Sequence, residues 1–231
     1  LNPGQPREVN IAFIGGFDSF AGATGTYDFQ MDGPIDWFQS TSMGATQAAT
    51  DAHWTNWLNA GVTVNLPEPA WNALFRRGLL ATALHLDEKN GGVIAGYHNG
   101  AYPFVWPRDA VYAAVTLART GHTAEAREVY RFLRDICSRD SQTFDTGYTG
   151  RAFWYQKYTT DGYRVWTAPQ VDETAVYPWG LKFQHDVEGD LGYLNSHYLT
   201  VYEAGLASSE DSDIDSRLRF EDAVNLMYSN N

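Results

Sequence analysis

From Pro67 onward the chain repeats one arrangement: an apolar face at helical spacing, then a polar or glycine-rich interruption, then another face. Pro67-Glu-Pro-Ala70 supplies a helix start, and Trp71, Leu74, Phe75, Gly78, Leu79, Ala83 and Leu84 follow on one side up to the stop at Asn90-Gly91-Gly92. Pro107 opens a second helix, with Val111, Ala114, Val115 and Leu117 as its apolar side. Thr123-Ala-Glu-Ala opens a third through Val129, Tyr130, Leu133 and Cys137, with Thr123 as the expected cap. Residues 142–168, rich in Gly, Thr and Tyr, read as loop or short hairpin. Helical patterns return at about 172–184, 190–206 and 213–229, broken by the acidic, solvated run Ser208–Asp213. Arrays of helical hairpins use shorter connections, so this order predicts helices packed in a ring with a site built from the loops.

The first residues follow a different rule. Val9-Asn-Ile-Ala-Phe-Ile14 and Gly25-Thr-Tyr-Asp-Phe-Gln30 alternate as strands do, and the glycines at 15, 16, 22 and 25 form no dinucleotide-binding fingerprint. Residues 1–45 are therefore expected to be the end of an N-terminal β-sandwich domain. Helical spacing at Ala48, Ala49, Ala52, Trp54, Trp57 and Leu58 predicts a linker helix within 46–66, and 67–231 the helical domain. The chain opens at Leu1 directly into strand-like sequence, which reads as a cut from something longer, so the lack of a leader says nothing about compartment.

Composition removes several classes of function. A net charge of −12, from 28 acidic and 16 basic residues, lacks the basic footprint that a phosphate backbone requires, so no nucleic-acid partner is expected. No apolar run is long enough to span a bilayer, and no membrane partner is expected. A lone Cys137 forms no internal disulfide and reads as a small core residue. His53, His85, His98, His122, His185 and His197 show no metal-binding spacing, so neither a metal nor a cofactor is expected. Eight Trp and 14 Tyr, by contrast, suit a protein that stacks flat side chains on sugar rings.

The stretch Ala101-Tyr-Pro-Phe-Val-Trp-Pro-Arg-Asp-Ala-Val-Tyr-Ala-Ala114 concentrates this chemistry. It places Arg108 and Asp109 at the positive end of a helix dipole, flanked by Phe104, Val105, Trp106, Val111 and Tyr112. An ion pair in such surroundings needs polar partners, which a polyhydroxylated ligand supplies. The plain alternative is a structural pair capping a core helix, and the chemistry leaves the two open.

Tyr102-Pro-Phe-Val-Trp106-Pro-Arg108-Asp109 resembles the signature of glucoamylase-type glycosidases, glycoside hydrolase family 15. Trp166-Thr-Ala-Pro-Gln170-Val-Asp172-Glu173 is similar to the family's next motif, and the resemblance covers roughly residues 67–231. It implies a mainly α fold, a partial (α/α)6 barrel preceded by the last strands of a β-sandwich. It also implies inverting hydrolysis that releases glucose from non-reducing ends of α-glucan oligosaccharides or polysaccharides. Arg108 and Asp109 would bind the terminal glucose, Tyr102 and Trp106 would wall it, Trp166 would stack near the scissile bond, and Gln170 and Asp172 would support that loop. For Asp172 and Glu173 a simple helix N-terminal charge is equally expected. Trehalase and glucodextranase specificities share the pocket, and a noncatalytic carbohydrate-binding module is the alternative of a different class.

The catalytic acids are another matter. In the family the proton donor sits in a Trp-Glu-Glu-like segment after a helix resembling Arg217–Met227, so both the general acid and the general base are expected beyond Asn231. Glu173, Glu188, Glu203 and Glu221 lie in no such segment, and none is assigned the donor role.

Overall fold

The computed structural model describes residues 36–37, 39–97, 102–139, 142–143, 149–150, 152–169 and 171–204. Two compact units divide the chain, Leu1–Asn59 and Ala60–Asn231. The β-sandwich expected over 1–45 and the helix expected over 213–229 lie outside the described residues. In the first unit, helix α1 (Met43–Ala60) begins three residues before the expected linker and ends just before Gly61. It buries none of its side chains within the unit. Residues 61–68 carry no helix.

The second unit is built on four longer helices: α2 (Pro69–Leu84), α3 (Pro107–Arg119), α4 (Thr123–Ile136) and α5 (Val171–Glu188). A short α6 (Leu191–Ser196) follows, and 198–204 are helical again. Two antiparallel pairs lie between α4 and α5: β1 (Gln142–Thr143) with β2 (Thr149–Gly150), and β3 (Tyr155–Tyr158) with β4 (Arg164–Pro169). Among the described residues the architecture is mainly helical, which fits a six-hairpin glycosidase fold.

Helix α3 is the centre of this unit. Pro107 sits at its first turn, where the missing N–H costs nothing, and Ala110, Val111, Ala114, Val115, Leu117 and Ala118 are all buried. Each fully buried Val or Leu here contributes about 1.5–3 kcal/mol. The helix packs against α4 and α5, and the crossing is close. A Cβ added at Gly180 of α5 would meet Val111 Cγ1 at 2.4 Å and the Tyr130 hydroxyl at 2.7 Å, so only glycine fits. Helix α4 contributes Val129, Tyr130, Phe132 and Leu133 to the same core, and Cys137 closes it as a buried free thiol, as expected. Trp154 donates its indole N–H to the Leu133 carbonyl at 2.8 Å, and its ring lies 4.7 Å from that of Tyr177. The Tyr177 hydroxyl in turn is hydrogen-bonded to Nδ1 of buried His197 at 2.5 Å.

Two sequence expectations change. Thr123 is the first residue of α4 rather than its cap; His122 holds the cap position and makes no side-chain capping bond. The apolar face read along α2 is buried only at Leu79 and Ala83, whereas Trp71 and Leu74 are exposed. The reason is geometric: α2 touches α3 sparsely, and a concavity lies between the C-terminal turn of α2 and the first turns of α3, so little of α2 reaches the core.

The strands position the start of α3. Val105 exchanges both backbone hydrogen bonds with Tyr158, at 2.7 and 2.9 Å, so the residues entering α3 run antiparallel to β3. Ile94 bridges Val105 from the other side, and Leu86 bridges Val93. The hairpin from β3 to β4 turns through Asp161-Gly162, where Gly162 has a φ of 89°, a conformation that favours glycine.

Candidate functional site

The register just described aligns three side chains. With Val105 opposite Tyr158, the next residue, Trp106, comes opposite Lys157; Lys157 in turn pairs with Trp166 of β4. Cross-strand partners share a face, so Trp106, Lys157 and Trp166 form one row across three neighbouring strands. The Lys157 ammonium lies 4.8 Å from the centroid of the Trp106 ring and 5.2 Å from that of Trp166. Lys157 keeps only 7% of its surface, and burial pushes its pKa down. Trp166 is 40% exposed, so this row reaches solvent at its β4 end.

Two residues after Trp106, Arg108 occupies the first turn of α3 and is gripped from α5. Its Nη1 pairs with Asp172 Oδ2, and its Nη2 lies 3.6 Å from Glu173 Oε1. Glu173 Oε2 accepts the backbone N–H of Arg108 at 2.5 Å. The N-termini of α3 and α5 are thus tied together, with two carboxylates of one helix facing one guanidinium of the other. Both acids lie in the first turn of α5, where the helix dipole favours negative charge. Burial works against the charge on Arg108, but Glu173 and Asp172 outweigh it and hold the guanidinium firmly protonated.

Glu173 itself has no exposed surface, and burial pushes its carboxyl up to about 8 against the pull of Arg108. Glu173 thus lies beneath Arg108, in the first turn of α5. Asp172 is partly exposed, stands in the first turn of α5 and pairs with Arg108.

Asp109, the next residue of α3, points elsewhere. It lines the concavity of about 320 Å³ between α2 and α3, together with His85, Thr82, Tyr112 and Thr116. Its surface is open to that space, yet the protein mass around it pushes its pKa up, with Arg108 pulling the other way. Consecutive helix residues are about 100° apart, which is why Arg108 and Asp109 part company. Tyr102 is exposed, and its carbonyl accepts the Gly96 N–H at 3.0 Å. Gln170 lies outside the described residues.

Of the eight candidates, then, the structure brings Arg108, Asp172 and Glu173 into one cluster and Trp106 and Trp166 into one row. Asp109 lines a separate concavity. Lys157 was missed. A lysine in Tyr-Gln-Lys-Tyr reads as a solvated strand charge, although Asp161-Gly162 was a hairpin signal that would have set it opposite Trp166.

The segment holding all of these residues, 69–179, matches the family model of glycosyl hydrolases family 15. Over that segment the chain is similar to this family. No curated protein and no solved structure matches the chain. Members of that family are glycoside hydrolases, which act on glycans. Among the described residues no helix is long and apolar enough to cross a membrane.

Proposed function

We propose that residues 67–231 supply the sugar-binding part of an (α/α)6 glycosidase domain that releases glucose from the non-reducing ends of α-glucans with inversion. Two observations support this reading: Trp106 and Trp166 share one row, and Arg108, two residues after Trp106, is paired with Asp172 and Glu173. Flat aromatic walls take the faces of a pyranose, and a fork of N–H donors takes vicinal hydroxyls. A guanidinium whose orientation is already fixed loses less rotamer freedom on binding. Asp172, partly exposed on Arg108, offers the acceptor that hydroxyl protons need.

Inverting hydrolysis requires two carboxyl groups about 6.5–9.5 Å apart, one protonating the leaving oxygen and one activating water. Three glutamates of the described residues are engaged otherwise. Glu173 is buried under Arg108, Glu188 pairs with Arg127 at 3.0 Å, and Glu203 pairs with Arg139 at 2.7 Å. We therefore assign the general acid and base to none of these three.

The test is a product analysis. The whole gene product is incubated with maltooligosaccharides, dextran and trehalose while the anomeric protons are followed by NMR. Release of glucose in the β configuration first, from one or more of these, is the expected result, and the responding linkage separates glucoamylase, glucodextranase and trehalase specificities. Release of α-glucose first would refute inversion. Saccharide binding without turnover would instead mark a noncatalytic carbohydrate-binding module.

A further inference from the structure

A one-residue slip of β3 would turn Lys157 to the other face of the strand and break the row it shares with Trp106 and Trp166. The pairing with β4 is a weak guard against that slip. Its register shifts between Tyr155 and Lys157 and again between Lys157 and Tyr158, so Lys157 stands between two irregularities. A bulge disrupts the ladder locally and leaves the extra residue unpaired. At the far end Tyr155 faces Pro169, which has no N–H to give to the ladder.

Tyr158 supplies a constraint from outside that ladder. Its backbone exchanges both hydrogen bonds with Val105, at 2.7 and 2.9 Å, and its phenol oxygen accepts the Tyr155 N–H at 2.7 Å. Its side chain is fully buried. One residue thus ties the last position of β3 both to the strand entering α3 and to the first position of β3, with Lys157 spanned between them. Phe would fill the same space; only the hydroxyl adds the bond along the strand.

We infer that Tyr158 is a positioning residue of this site: its phenol oxygen fixes the β3 register that sets Trp106, Lys157 and Trp166 in one row. What the row receives rests on the glycosidase reading above. The register belongs to the free protein and is measurable without any sugar.

The chain has three lysines, Lys89, Lys157 and Lys182, so lysine isotopically labelled at Cε gives a sparse NMR spectrum. Protons over an aromatic face are shifted upfield by its ring current, and the end of Lys157 lies over two indoles. Its signal, assigned by its loss in Lys157→Arg, therefore reports on the row. The experiment compares the full chain with Tyr158→Phe and with Tyr177→Phe, which removes another buried hydroxyl, the partner of His197, and so controls for general loosening. Amide exchange at Tyr155, thermal melts and isothermal titration with maltose, isomaltose and trehalose accompany the spectra.

Tyr158→Phe is expected to lose most of the Lys157 upfield shift. Its Tyr155 amide should exchange roughly three- to tenfold faster, the loss of one neutral hydrogen bond. It should bind the sugar that the wild type takes roughly tenfold more weakly. Tyr177→Phe should lower the melting temperature and leave the Lys157 signal in place. A Lys157 signal unchanged in Tyr158→Phe would overturn the inference, and so would equal displacement in both variants, which marks a loosened core. A displaced signal with unchanged sugar affinity would overturn the positioning role while leaving the glycosidase reading intact. If the wild type takes up none of the sugars, the glycosidase reading falls, and the lysine signal still decides whether Tyr158 sets the register.

Discussion

Replacing Glu173 by Gln isolates the contribution of the buried carboxyl under Arg108. Gln keeps an acceptor for the Arg108 N–H and nearly the same volume, but it does not titrate. In the folded protein the Glu173 carboxyl titrates at about 8 against an ordinary 4.5, so the folded state binds its proton more tightly than the unfolded state does. Stability from this group is therefore greatest below pH 4.5, declines between 4.5 and 8, and is flat above; the whole decline is about 5 kcal/mol. His197 acts in the opposite direction. Burial pushes its pKa down to about 4 from 6.5, so its contribution rises with pH between 4 and 6.5 and masks much of the Glu173 effect there.

Between pH 6.5 and 8 Glu173 acts without that opposition, and the wild type should lose about 2 kcal/mol, or about 4–8 °C in melting temperature for a domain of this size. Thermal melts by circular dichroism across pH 5–9 in overlapping buffers read this directly. Glu173→Gln should show no such fall and should melt above the wild type at pH 8. A wild-type melting temperature that is flat from 6.5 to 8, or an identical slope in Glu173→Gln, would refute the reasoning.

Gly180→Ala should lower the melting temperature despite the better helix propensity of Ala, because its Cβ would meet Val111 Cγ1 at 2.4 Å where α3 and α5 cross. Over-packing of this kind costs about 1–3 kcal/mol against a propensity gain of about 1 kcal/mol, and a melt decides the sign. Cys137 should be inert to a thiol reagent at pH 8 in the native state and react once denaturant is added, since burial pushes its pKa up to about 12.

The start of α3 was legible because its signals are local: proline at the first turn, the Arg-Asp pair at the dipole end, and an apolar face continuing past it. Cys137 was legible for the same reason, lying on the apolar side of a strongly periodic helix. What escaped depends on distant pairing. Lys157 is buried because Val105 pairs with Tyr158 on one side and Trp166 lies opposite on the other; Asp161-Gly162 signals the second pairing, and nothing local signals the first. Glu173 looked like a solvated helix-start charge, and its burial follows from where α5 meets α3. The exposed half of α2 carries the same periodicity as a buried face, since periodicity marks which side is apolar and not whether anything covers it.

The central claim is that Arg108, held by Asp172 and Glu173, receives a sugar. Its most direct test is isothermal titration of the full chain and of Arg108→Lys with maltose, isomaltose and trehalose. An ammonium cannot serve two hydroxyls as a planar fork does, and each lost hydrogen bond to a charged group is worth about 1.5–3 kcal/mol. The wild type should bind at least one of the three, and Arg108→Lys should bind it roughly tenfold to over a hundredfold more weakly. Equal affinity in the two proteins, or no binding to any of the sugars, would contradict the account.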